Sequence, residues 1–180
     1  MLKRIAVVLL VVLSLTIQSC APTVAGAGLK GYVESYKGYE FLYPNGWVPV
    51  KVSDADVVLH DIIEETENAS VIISDVPDGK TLEELGTPSE VGYRLSKNAI
   101  APPGSNRTAE LVDAQARQVG DETYYLLEYA VQLPTQARHN LASVVVRRGQ
   151  LFTYNLSTTE KRWEKSQEKF RQSVKSFSVY

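Results

Sequence analysis

The chain has 180 residues, with 19 Lys and Arg against 21 Asp and Glu for a net charge of −2, and 44% of its residues are apolar. That is enough for one domain with an ordinary hydrophobic core, and the short basic pairs Arg147-Arg148 and Lys161-Arg162 cannot track a phosphate backbone, which speaks against a nucleic-acid partner. A single cysteine rules out an internal disulfide, so the core must supply the stability.

The first element is an export signal. Lys3-Arg4 precedes thirteen apolar or hydroxyl-bearing residues, Ile5 to Ile17, which lead through Gln18-Ser19 into Cys20. As a helix that run reaches roughly 20 Å, short of the ~30 Å hydrocarbon core a stable span must cross. Ile17, Ser19 and Cys20 resemble the lipobox of bacterial lipoproteins, with Gln18 bulkier and more polar than usual there. The resemblance implies cleavage before Cys20 and acylation of its thiol; the alternative is an ordinary signal followed by an idle cysteine. Removing residues 1–19 leaves 161 with a net charge of −4. Residues 20–28, the cysteine and the small-residue stretch APTVAGAG, read as a lipidated flexible tether, and 29–180 as the folded domain.

Tyr39 to Val50, YEFLYPNGWVPV, is an aromatic-rich strand broken at Pro44-Asn45-Gly46, which predicts a hairpin or a tight strand corner. β-Branched runs predict strands over Asp56 to Ile62 and Ser70 to Val76, with Asn68 in the turn between them. The period then becomes helical. Thr81 and Glu84 have capping-box spacing, Leu82, Leu85, Val91 and Leu95 recur at helical intervals, and Gly86-Thr87-Pro88 splits off a longer helix from Ser89. After the loop opened by Ala101 to Ser105, four alternating segments, Ala109 to Val119, Glu122 to Leu133, Asn140 to Arg148 and Gln150 to Thr158, predict an antiparallel meander. A last helix begins at Thr158-Thr159-Glu160 and carries Trp163, Phe170, Val174 and Phe177 on one stripe. The fold class is α+β, an antiparallel β-sheet flanked by helices, and a helix on each face makes it an α/β/α sandwich.

YEFLYPNGW, VVLHDIIEETENASVIIS, TLEELGTPSEVGYRL, YYLLEYAVQLP, RHNLASVVVRRGQLFTYN and the STTEKRW start of the last helix, taken in order, resemble the PsbP family, specifically its cyanobacterial branch, over Leu29 to Tyr180. The resemblance implies a lumenal lipoprotein on the thylakoid membrane, lipid-anchored and non-catalytic, that associates with photosystem II subunits or assembly intermediates near the oxygen-evolving side. It also implies zinc or calcium association without fixing ligands. Only the short tether precedes the domain, where plant members have a longer segment that helps retain calcium and chloride, so direct ion retention is not carried over.

The residues themselves offer few sites. No nucleophile elbow, HExxH or phosphate-cradling glycine loop is present, and only His60 and His139 are available as imidazole bases, which speaks against catalysis. No cofactor is required. His60, Asp61 and Glu64, followed by Glu65 and Glu67, concentrate ligand types for a weakly held divalent cation; the alternative is a solvated acidic turn. Arg138 and His139 enter a strand beside Asn140, as either a polar surface cluster or a docking point. Tyr39, Tyr43, Trp47, Tyr124, Tyr125 and Tyr154 are expected in the core. An envelope lipoprotein holding a divalent metal or small ligand between sheet and helix is the rival reading.

Overall fold

A computed structural model describes residues 28–77 and 79–180. The expected signal segment, Cys20 and all of the tether except Gly28 lie outside the described residues. Among the described residues the strands are β1 (Leu29–Glu34), β2 (Tyr39–Pro44), β3 (Trp47–Val50), β4 (Val57–Asp61), β5 (Asn68–Asp75), β6 (Thr108–Val119), β7 (Glu122–Gln132), β8 (Ala137–Arg147), β9 (Gln150–Thr159) and β10 (Ser178–Val179). The helices are α1 (Leu82–Leu85), α2 (Pro88–Leu95), continued by a π-helical turn Ser96–Ile100, and α3 (Glu160–Lys175).

The meander forms as its turn residues dictate. Arg148 and Gly149, both at positive φ (53° and 74°), make the two-residue turn that matches the twist of β8 and β9. With β5 and then β4 and β3 added beyond β9, the strands give one antiparallel sheet in the order β3-β4-β5-β9-β8-β7-β6. The PNG break makes a corner rather than a hairpin: β2 joins β1 and β10 in a separate three-stranded sheet, while β3 becomes an edge of the large one. Packing explains that choice. β2 turns Phe41 onto Tyr154, ring centroids 4.3 Å apart, and Tyr39 onto Phe152 and Phe177, at 6.3 and 6.1 Å. Asn68, expected in a turn, is the first residue of β5 and pairs with His60 of β4.

Period-two alternation gives the large sheet two different faces. On one, here called the covered face, Leu59, Val71, Tyr124, Leu141, Phe152, Tyr154 and Leu156 are sealed by β2 and by Phe170 and Val174 of α3. On the other, Tyr125, Leu127, Tyr129, Val131, Ala142 and Val144 pack under Leu82 of α1 and Val91 of α2. Both short helices carry capping boxes, Thr81 with Glu84 and Thr87 with Glu90. Tyrosine hydroxyls of β7 tie them down, Tyr125 donating to the Gly86 carbonyl at 2.8 Å and Tyr129 to that of Gly92 at 3.1 Å. A Cβ on Gly92 would lie 2.9 Å from both Leu111 methyls, so the missing side chain lets α2 approach β6. The α1–α2 layer covers the β6–β7 side of this face and leaves its β3–β5 side open, with Val48, Val50 and Ile72 at 38%, 38% and 40% exposure.

Candidate functional site

β8 runs through the middle of the sheet, so consecutive residues of it reach opposite faces. His139 enters the covered face. Its Nε2 lies 2.8 Å from Glu128 Oε1 and its Nδ1 3.1 Å from Glu160 Oε2, while the ring stacks on Trp163 at 3.8 Å between centroids and 9° between planes. Arg171 Nη2 donates to the other Glu128 oxygen at 2.8 Å, and its guanidinium lies over Trp163. Beside this set, the buried Glu67 Oε1 accepts from Thr158 Oγ1 and from Arg162 Nε, both at 2.6 Å. Acid and base are therefore paired where β7, β8 and β9 meet α3.

Arg138 enters the other face. Its Nε and Nη2 donate to Ser157 Oγ at 2.9 and 2.7 Å, and Nη2 also donates to the Thr66 carbonyl. Ser157 in turn donates to Asn140 Oδ1 at 2.7 Å, and Asn140 Nδ2 reaches Asn155 Oδ1 at 3.4 Å. These groups floor a groove of about 420 Å³ between the sheet and the π-helical turn, walled by Leu95, Ala99, Ile100, Tyr129 and Val131 and also lined by Arg107. Burial pushes the Arg138 guanidinium below the ordinary arginine value; Glu67 and Glu64 partly offset this from a distance, and Arg107 adds to it. Among the described residues neither Arg138 nor Arg107 has a carboxylate within ion-pair range.

Arg138 and His139, read as surface groups or a docking point, are thus buried, at 8% and 6% exposure. They sit on a central strand, His139 under α3 and Arg138 at the floor of the groove. His60, Asp61 and Glu64 are not gathered into a ligand set, and among the described residues no group of three or more His, Cys, Asp and Glu is placed to hold a metal ion. Strand alternation separates the first two: Asp61 faces the covered side with Trp47, and His60 the open side with Val48 and Asn68. Asp61 instead organises the turn after β4. It accepts from the Ile63 and Glu64 amides at 2.7 and 2.8 Å and from Trp47 Nε1 at 3.1 Å. The Glu64 amide foremost, with Ile63 and Trp47, holds its carboxyl below the usual carboxylate range. Glu64 Oε1 accepts from Thr66 Oγ1 at 2.8 Å.

The turn that Asp61 builds presents Ile62 and Ile63 at 58% and 91% exposure, beyond the Trp47 end of β3. Exposed apolar side chains such as these suit contact with another protein. Sequence reading missed this surface, the groove and Glu128. Glu128 had a signal of its own, a lone carboxylate within Tyr124-Tyr125-Leu126-Leu127-Glu128-Tyr129, a run too apolar to leave it in water and therefore in need of a partner. The groove had a weaker one in Asn140, Asn155 and Ser157, polar side chains at alternating strand positions. Among the described residues no helix is long and apolar enough to cross a membrane.

Comparison with known proteins gives a consistent family. The PsbP family model matches residues 27–179. CyanoP of Thermosynechococcus vestitus is 49% identical over 186 aligned residues, covering 100% of both chains. PsbP-like protein 1, chloroplastic, of Arabidopsis thaliana is 35% identical and covers 86% of this chain and 67% of its own. The solution structure of CyanoP from Synechocystis sp. superimposes with a TM-score of 0.74 at 46% identity, covering 91% of this chain and 99% of that one.

Proposed function

The chain belongs to the PsbP family, and from that premise we propose that it is an extrinsic, non-catalytic partner of photosystem II, acting in its assembly or stabilisation from the lumenal side of the thylakoid membrane. The observation that carries this reading is full-length likeness to a cyanobacterial relative, 49% identical, with the family match spanning residues 27–179. The uncovered β3–β5 side and the turn after β4 support it, because Val48, Val50 and Ile63 are exposed apolar side chains that an extrinsic protein can lay against a larger complex. Acylation of Cys20 is the second part of the proposal. A lipid tether confines the domain to a thin layer beside its membrane-embedded partner, which raises the effective concentration and lets a weak interface suffice.

Affinity purification of the tagged chain from solubilised thylakoid membranes tests the partner. Recovery of photosystem II subunits is expected, and their absence under cross-linking conditions removes the assignment. Intact mass of the natural product tests the tether: a chain beginning at an acylated Cys20 is expected, and an unmodified thiol eliminates it.

A further inference from the structure

The covered face balances each buried acid with a base, whereas the groove on the open face holds a buried base with no acid. Arg138 is 8% exposed and its described partners, the Ser157 hydroxyl and the Thr66 carbonyl, are neutral. Neutral dipoles offset the cost of removing a guanidinium from water only in part, and a second cation, Arg107, lines the same cavity. Of the two acids that act on Arg138 from a distance, Glu67 is committed to Arg162 and Thr158 on the other side of the sheet, and Glu64 accepts from Thr66 Oγ1 rather than pairing with the guanidinium. A cavity of about 420 Å³ with two guanidinium groups and no ion-paired carboxylate is short of one anion.

The lining also says what kind. Leu95, Ala99, Ile100 and Val131 form an apolar wall opposite the polar floor of Asn140, Asn155 and Ser157. A bare inorganic anion would leave that wall against water, while an apolar body carrying one carboxylate satisfies both sides, and the planar guanidinium fork suits a carboxylate. The volume falls in the range of small-ligand sites. We propose that this groove binds an organic carboxylate with a short apolar body, Arg138 and Arg107 providing the counter-charge and Leu95, Ile100 and Val131 the apolar contact. Such a group exists on a free small molecule and at the C-terminus of a polypeptide. The site does not depend on the photosystem II assignment, since Arg138, Arg107, Leu95, Ile100 and Val131 lie outside β3–β5, although Asn68, Ser70 and Ile72 of β5 border both surfaces.

NMR titration of the full-length chain, following the side-chain amide signals of Asn140 and Asn155, decides the matter with two matched pairs of probes. These are hexanoate with hexanamide, and the peptide acetyl-Ala-Val-Leu-Ala as free acid with its C-terminal amide. The acids are expected to shift both signals saturably and to bind at least about tenfold more tightly than the amides, the scale of a charge-assisted hydrogen bond. Saturation by both acids points to a free carboxylate, and saturation by the peptide acid alone to a chain terminus. Acids that bind no better than amides, or that bind nowhere, overturn the proposal. Because Arg138 also holds Ser157 and the Thr66 carbonyl, its replacement would rearrange the groove floor itself, so the exposed Arg107 carries the mutational test: Arg107→Gln should weaken acid binding several-fold and Arg107→Lys should restore most of it. Equal acid affinity in Arg107→Gln and the parent overturns the proposal as well.

Discussion

Arg138 and His139 are neighbours on one strand, nearly equally buried, yet their surroundings are opposite in kind. His139 lies between Glu128 and Glu160 under the Trp163 ring, in a region where α3 closes the sheet and charges are matched in pairs. Arg138 faces a cavity where no described carboxylate pairs with it. The difference comes from the layer above the strand. Where α3 lies over the strand, the buried His139 and Glu128 are matched by partly exposed partners on the helix, Glu160 and Arg171, because an unmatched buried charge would cost several kcal/mol. Where the layer stops short, solvent or a ligand can complete the set.

The largest test of this contrast compares apolar residues. Phe152→Ala removes a fully buried ring from the aromatic stack of the covered face and should cost about 3–5 kcal/mol, read as a lower urea midpoint. Ile72→Ala, on the open face at 40% exposure, should cost about 1 kcal/mol or less. Similar losses at the two positions would mean that the open face is covered in solution. Next in size are the charges. Glu128→Gln strips the shared acid from His139 and Arg171 and should cost about 2 kcal/mol. Arg138→Met removes a cation that has no acid, and its loss should be smaller, within about 1 kcal/mol, because exchanging a buried charge for an apolar group of similar volume is often close to neutral. The reverse order would break the comparison.

The packed core on both faces of the sheet was largely legible in the sequence, and the uncovered surface and the groove were not. Tyr39, Tyr43, Trp47, Tyr124, Tyr125 and Tyr154 are buried as expected, because large aromatics at alternating positions have one place to go. The meander, the Thr81 capping box and the start of α3 follow from local chemistry within a few residues. The failures are non-local. That PNG makes a corner depends on whether β2 pairs with β3 or stacks over β9, a choice made more than 100 residues away at Tyr154. The separation of His60 from Asp61 could be anticipated from alternation, but the conversion of Asp61 into a turn organiser depended on Trp47 across the strand pair. The groove needed three-dimensional knowledge of where the π-helical turn ends.

Asp61 gives a smaller effect with a pH signature. Its carboxyl is held below the usual range, so its contribution is fully present above the unfolded value of about 3.9 and disappears as pH falls through the lower folded value. Asp61→Asn should cost about 1 kcal/mol at neutral pH and flatten the loss of stability between about pH 4 and the folded value. Urea titrations at a series of pH values read both numbers. An unchanged acid limb would show that the Ile63 and Glu64 amides do not select the ionised form.

The smallest effect on stability is expected on β3, and it bears most directly on function. Val50 stands on an edge strand with its side chain 38% exposed, so Val50→Lys should change stability by no more than about 0.5 kcal/mol. A lysine there places a hydrated ammonium on the open face beside Val58 and on the same side of β3 as Val48, and a protein interface that buries this strand cannot desolvate it without a large penalty. Loss of photosystem II subunits from the affinity-purified fraction, with the unfolding midpoint unchanged, would assign docking to the open face. Full recovery with the same midpoint would move docking to another part of the surface, and the exposed isoleucines of the β4–β5 turn would then need a separate explanation.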